Sequence, residues 1–112
     1  MCGVGWCCAR SRVHDNEHVK IRVWEYDVPE AVRSEFERVY GCDGDWAQLF
    51  ASSDGFHGTE LFRSLSDPGR YLTVDRFIDD DAWQAFMSRH REAYRLLGDA
   101  TDNLTSEQRE LA

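Results

Sequence analysis

Between Val19 and Gly98 the spacing of apolar residues switches back and forth between a strand period of two and a helical period of about 3.6, and the order of those switches restricts the fold more than any other feature. Residues Val19 to Val28 are rich in β-branched and aromatic side chains, with Ile21, Val23 and Glu25 on one face and Arg22, Trp24 and Tyr26 on the other. Neither face is purely polar, so both faces of this strand are expected to be covered. Pro29 suits a first helical turn, and Val32, Phe36, Val39 and Tyr40 then form one helical stripe, which Gly41 is placed to end in a left-handed conformation. Asp43 or Asp45 can cap a second short helix bearing Trp46, Leu49 and Phe50.

Phe56 to Leu65 reads as a strand, with His57, Thr59, Leu61, Arg63 and Leu65 on one face and Phe56, Glu60 and Phe62 on the other. Pro68 and Gly69 suit a type II turn into a further strand, Arg70 to Ile78. Asp79, Asp80 and Asp81 open the longest helix, their charge favourable at its N-terminus, with Trp83, Phe86, Met87, His90, Tyr94 and Leu97 on one face and Gly98 as the stop. Thr101 to Ala112 is polar, offers a capping box from Thr105 to Gln108, and carries no strand pattern. Strand, helix, short helix, strand, strand, helix is an α+β plan, a ferredoxin-like split βαββα(β) with an antiparallel sheet whose last strand is short or missing. Helices cover one face of such a sheet, and a second copy of the chain is the simplest cover for the other, giving a two-fold homodimer.

Charge narrows the partners. The 112 residues hold 13 Lys and Arg against 21 Asp and Glu, a net charge of −8. Nucleic acid and anionic membrane surfaces need clustered cations, so both are excluded as partners. No apolar run approaches the ~20 residues of a membrane span. Cys2, Cys7, Cys8 and Cys42 lack the spread of a disulfide framework, so they read as reduced thiols in a cytoplasmic protein; a zinc site from Cys2, Cys7, Cys8 and His14 is disfavoured by its spacing. The stretch from Gly3 to Ala9 is too short and lacks the basic start of a secretory leader. Residues 1–18 show no sustained period and are expected to form a loose extension, with a weak strand signal from Val4 to Val13, ahead of a domain spanning 19–112.

Tyr40-Gly41, Gly44-Asp45-Trp46, Leu49-Phe50, Gly55-Phe56-His57-Gly58 and Arg70 to Asp75, in that order and followed by the acidic start of the long helix and its Phe86, resemble the antibiotic biosynthesis monooxygenase family over roughly Val19 to Gln108. The resemblance implies a dimeric α/β barrel with a pocket in each protomer between sheet and helices. It also implies oxidation of phenols, anthrones or quinols by molecular oxygen without metal or flavin. Haem-degrading relatives carry an Asn on the first strand and a haem-ligating His late in the long helix. Here those places hold Glu25 (or Tyr26) and Tyr94, with His90 one turn earlier, so haem chemistry is not expected.

Cofactor-free oxygenation needs a base to generate a phenolate and donors to hold the oxyanion. His57 is the base by residue type, Arg63 beside it an oxyanion partner, and Asp75 on the neighbouring strand an orienting group; alternatively His57 lies exposed in its turn and Arg63 and Asp75 form a structural cross-strand pair. Tyr26, Trp46, Tyr71, Trp83, Phe86 and His90 are candidates to line a pocket for a small aromatic molecule, against the alternative that they are simply core. No metal is expected. The competing function is a non-catalytic dimer that binds a small apolar ligand or serves as an accessory protein.

Overall fold

A computed structural model describes residues 19–112, so the expectations for the N-terminal extension, its strand and its zinc site lie outside the described residues. Strand β1 (Lys20–Asp27) is followed by a single 3-10 turn (Glu30–Val32), helix α1 (Arg33–Tyr40), helix α2 (Asp45–Phe50), strands β2 (Phe56–Arg63) and β3 (Arg70–Phe77), helix α3 (Asp80–Thr101), a second 3-10 turn (Asp102–Leu104) and strand β4 (Glu107–Glu110). The four strands form one antiparallel sheet in the order β2-β3-β1-β4. This is the ferredoxin-like α+β arrangement that the periods imply.

The last strand exists, although its sequence lacks alternation. It is four residues long and pairs Trp24 to Asp27 of β1 with Glu110 to Glu107. Backbone hydrogen bonds and ion pairs hold this edge rather than apolar burial: Arg109 bonds Glu25 at 3.0 Å and Asp27 at 3.3 Å. The expected helical capping box is absent, and Thr105 is extended instead.

Strand β3 alternates without exception, with Tyr71, Thr73, Asp75 and Phe77 buried and the residues between them partly covered. The buried series faces the helices. One cluster joins Tyr26, Phe36, Val39, Tyr40, Leu61 and Tyr71, with the Phe36 and Tyr40 rings stacked at 4.2 Å. A second joins Phe50, Phe77, Trp83 and Phe86, and Trp46 packs against both. The opposite face carries Ile21, Val23, Leu72 and Val74, of which Ile21 is 42% exposed.

Several local expectations are corrected by close packing. Gly41 is not left-handed but extended (φ −74°, ψ 179°); a Cβ there would sit 2.7 Å from the Glu37 carbonyl oxygen. Gly44, not Asp43 or Asp45, starts α2. Gly69 lacks the positive φ of a type II turn and instead lets the chain pass 3.0 Å from the Val28 carbonyl oxygen, measured from where a Cβ would stand. Phe56 belongs to the same face as Thr59 and Leu61, because a bulge between Phe56 and Gly58 inserts an extra residue. Strand β2 ends at Arg63, leaving Leu65 86% exposed. Helix α3 runs through Gly98 to Thr101 but leaves helical geometry at His90 (φ −120°, ψ 23°). Its start is capped as expected, by Asp79 accepting from the Ala82 N–H at 2.8 Å. Cys42 is disulfide-bonded, against the expectation of reduced thiols.

Replacing Gly44 with Ala tests this packing. The new Cβ would meet the Arg38 and Val39 carbonyl oxygens at 2.3 Å, and backbone cannot swing aside as a side chain can. Denaturant unfolding is expected to show a loss of about 2–3 kcal/mol.

Candidate functional site

Helices α2 and α3 do not close completely onto the sheet. They leave a partly open cavity of about 200 Å³ over the centre of β1, β2 and β3. Its wall is mainly aromatic, with Trp24 and Tyr26 from β1, Tyr40 from the end of α1, Trp46 and Phe50 from α2, and Tyr94 from α3. Gly98 contributes a bare helix surface facing the Trp46 ring, whose Cη2 would lie 4.0 Å from a Cβ at that position. Arg22, Thr59, Thr73 and Asp75 supply the polar wall from the sheet.

Asp75 is the chemically unusual group. It is 5% exposed, and the Thr59 hydroxyl donates to its Oδ1 at 2.7 Å. Burial pushes the carboxyl up from its usual 3.8 to about 6, against the opposing pull of the Thr59 hydrogen bond and of the positive Arg22 and Arg76. Arg22 is its cross-strand neighbour on β1 and is itself buried, 7% exposed. The two opposite charges make no direct ion pair. Instead the Arg22 guanidinium lies 4.2 Å over the Trp83 ring, donates to the Tyr94 hydroxyl at 3.5 Å, and reaches Glu110 of β4 at 3.4 Å.

The hydroxyls nearby are engaged with each other. Tyr26 and Thr73 share a hydrogen bond of 3.0 Å, and Tyr40 donates to Thr101 at 3.2 Å. Burial raises both phenols above their ordinary value, well above it for Tyr26, so neither ionises near neutrality. The Trp46 indole N–H is buried without a hydrogen-bond partner among the described residues; the Tyr40 phenol feels it but the two do not reach hydrogen-bond geometry.

The sequence-derived site residues are therefore dispersed. Asp75, Tyr26 and Trp46 reach the cavity wall. His57 sits in the bulge of the edge strand, half-buried and away from that wall. Arg63 ends β2, exposed, and pairs with Glu37 at 3.3 Å rather than with Asp75. Tyr71 is buried beneath α1 and donates its hydroxyl to Glu37; Trp83 is the platform under Arg22; Phe86 is core. His90 lies at the kink of α3, bonded to Ser52 Oγ at 3.2 Å, beside a separate depression of about 240 Å³. Ser52 gives its own proton to the Leu49 carbonyl, so it is not activated as a nucleophile.

Sequence reasoning missed Arg22, Thr59 and Tyr94 as site residues. Arg22 was legible in principle, since a cation sharing a strand face with Trp24 and Tyr26 must be buried if that face is covered. No sequence signal places Thr59 against Asp75, because the bulge that sets their register does not show in alternation.

Residues 21–95 match the family model for antibiotic biosynthesis monooxygenases. Among solved structures, SnoaB, a cofactor-independent oxygenase from Streptomyces nogalater, is similar at 23% identity and a TM-score of 0.67, over 86% of this chain and 92% of that one. A protein from Bordetella bronchiseptica, described as a candidate antibiotic biosynthesis monooxygenase, aligns at 19% identity and a TM-score of 0.64, over 85% and 94% of the two chains. A candidate monooxygenase from Lactobacillus acidophilus aligns at 14% identity and a TM-score of 0.64, covering 91% of this chain. This chain spans only 45% of that protein and 46% of a similar one from Fusobacterium nucleatum. At these identities the likeness establishes the fold. No curated protein matches the sequence.

The buried carboxyl has a thermodynamic signature. Asp75 holds its proton more tightly folded than unfolded, so the folded state carries more protons between pH 4 and 6 and loses stability as pH rises through that range. Asp75→Asn removes this penalty while keeping an oxygen for Thr59 to donate to. The variant is expected to unfold with up to about 3 kcal/mol more free energy than wild type at pH 7.5, since the shift spans about two pH units at ~1.4 kcal/mol each. Near pH 4 that advantage should vanish, as chemical denaturation at the two pH values will reveal.

Proposed function

The chain belongs to the antibiotic biosynthesis monooxygenase family, and from that premise we propose that it oxygenates a small hydroxylated aromatic molecule with molecular oxygen and no cofactor, using Asp75 as the base. One observation carries the reading: a buried carboxyl, raised to about 6, faces an aromatic-walled cavity opposite a buried arginine with which it does not pair. At neutral pH such a carboxyl is ionised, yet it remains basic enough to accept a phenolic proton. The cavity volume supports a flat substrate of one or two fused rings, since a cavity of about 150 Å³ already accommodates benzene.

The chemistry follows from these groups. The substrate hydroxyl enters between Asp75 and Arg22 and passes its proton to Asp75. The Arg22 guanidinium stabilises the phenolate. That electron-rich anion gives one electron to oxygen, and the aryloxyl radical and superoxide combine at a ring carbon to form a peroxide. The carbon passes its remaining proton to the distal peroxide oxygen, the O–O bond breaks, and hydroxide leaves, taking up the phenolic proton held on Asp75 to become water. One oxygen atom ends in the new carbonyl and the other in water, and Asp75 is again ionised. The aromatic wall keeps bulk water from the charged intermediate.

His57 and Arg63 drop out of this scheme because they lie away from the cavity wall. Oxygen electrode measurements with naphthols and hydroquinones are expected to show uptake whose rate climbs with pH through about 6 and then levels, with Asp75→Asn at least ~100-fold slower. Saturable binding of the same compounds with no oxygen uptake at any pH would favour the ligand-binding dimer instead.

The sheet face bearing Ile21, Val23, Leu72 and Val74 supports a homodimer, with a second copy as the cover. Sedimentation of wild type should give twice the chain mass at micromolar concentration. Val74→Lys, on that face and remote from the cavity, should give the chain mass alone.

A further inference from the structure

Without its bulge, strand β2 would turn either Phe56 or Thr59 and Leu61 toward the helices, but not all three. With the bulge all three face the helices, Thr59 and Leu61 buried and Phe56 half-buried. Gly58 makes this feasible: its φ of 131° is a conformation that residues with side chains rarely adopt. Phe56 then packs against Phe50 and Phe77, at 5.5 and 5.3 Å between ring centroids, while Thr59 stands directly opposite Asp75.

An aspartate carboxyl turns about a broad two-fold torsion, so burial alone does not fix which oxygen faces which way. Thr59 is 3% exposed and β-branched, hence restricted in its own rotation. Its single hydroxyl proton goes to Asp75 Oδ1 at 2.7 Å. Among the described residues no donor bonds Oδ2. The other groups bearing on this carboxyl are Arg22 from β1, Arg76 beside it on β3, and the Tyr26 phenol, which stays neutral. None of them bonds to it directly.

We propose that Thr59 is a positioning residue for Asp75: held by the Gly58 bulge, it pins Oδ1 and leaves Oδ2 as the oxygen that takes the substrate proton. The inference rests on the reading of Asp75 as the base, but the hydrogen bond has consequences that do not depend on turnover. A donor to the ionised carboxyl favours the charged form, so removing it must make the carboxyl harder to ionise. It must also free the carboxyl to rotate, which lowers turnover more than it weakens binding.

The test compares wild type, Thr59→Val and Thr59→Ser by following the Asp75 carboxyl carbon with ¹³C NMR across pH, alongside oxygen uptake with a naphthol. Thr59→Val keeps the shape and loses the hydroxyl; Thr59→Ser keeps the hydroxyl and loses the methyl. The Asp75 midpoint is expected to rise by about one pH unit in Thr59→Val and to return to the wild-type value in Thr59→Ser. In Thr59→Val the midpoint of kcat should rise in parallel, with kcat falling about tenfold and KM nearly unchanged. An unmoved carboxyl midpoint in Thr59→Val would overturn the proposal whatever the activity does. A moved midpoint in a protein that consumes no oxygen would support the role of Thr59 and defeat the assignment of Asp75 as a base. The Ser variant separates loss of the hydrogen bond from loss of packing, since it suffers only the latter.

Discussion

Placing a carboxyl group in the middle of the covered face of a sheet is expensive, and Asp75 stands there only 5% exposed, opposite the strand that carries the bulge. Its neighbours answer that cost incompletely. Thr59 gives it one hydrogen bond, and Arg22 lies opposite on β1 but turns toward Trp83, Tyr94 and Glu110 instead of pairing with it. A direct buried ion pair would have lowered the carboxyl's affinity for a proton; the separated arrangement leaves it raised to about 6. Energy given up in stability is retained as basicity at one place in a mainly aromatic cavity.

The aromatic packing on either side keeps that cavity from collapsing. Trp46 is the hinge of this arrangement, packing against both hydrophobic clusters and meeting the Tyr94 ring edge-on at 5.2 Å. Gly98 lets the indole stand against α3 without intervening side chain. Helix α3 kinks at His90, one turn before Tyr94, so its second half can lie along the cavity while its first half packs Trp83 and Phe86 into the core. Rigid rings at fixed angles hold space open better than flexible aliphatic chains would, because they have few rotamers with which to fill it.

The architecture was legible because β1, α1, β2, β3 and α3 carry strong periods, and β3 alternates along its full length. What escaped was set by contacts between distant segments. Strand β4 is polar and short, and only its pairing with Trp24 to Asp27 makes it a strand. Gly41, Gly69 and Gly98 read as turn and stop residues by their sequence setting, and Gly44 carries no such signal beside the capping candidates Asp43 and Asp45. In the fold, three of them answer close backbone approaches and the fourth makes room for an indole. The site was half legible. Asp75, Tyr26 and Trp46 follow from residue type and face, whereas the bulge takes His57 out of the alternation, and Arg63, although on the face of Thr59 and Leu61, stands opposite Tyr71 at the far end of the strand. Arg22 escaped because a single cation on a strand ordinarily points to water.

The central claim is that Asp75 and Arg22 flank the position of a substrate hydroxyl. A crystal structure of the protein soaked with 1-naphthol under anaerobic conditions tests it most directly. The hydroxyl oxygen is expected within about 2.5–3.0 Å of Asp75 Oδ2 and in reach of the Arg22 guanidinium, with the rings lying among Trp24, Trp46 and Tyr94. A naphthol seated elsewhere, or one whose hydroxyl points away from Asp75, would contradict the account.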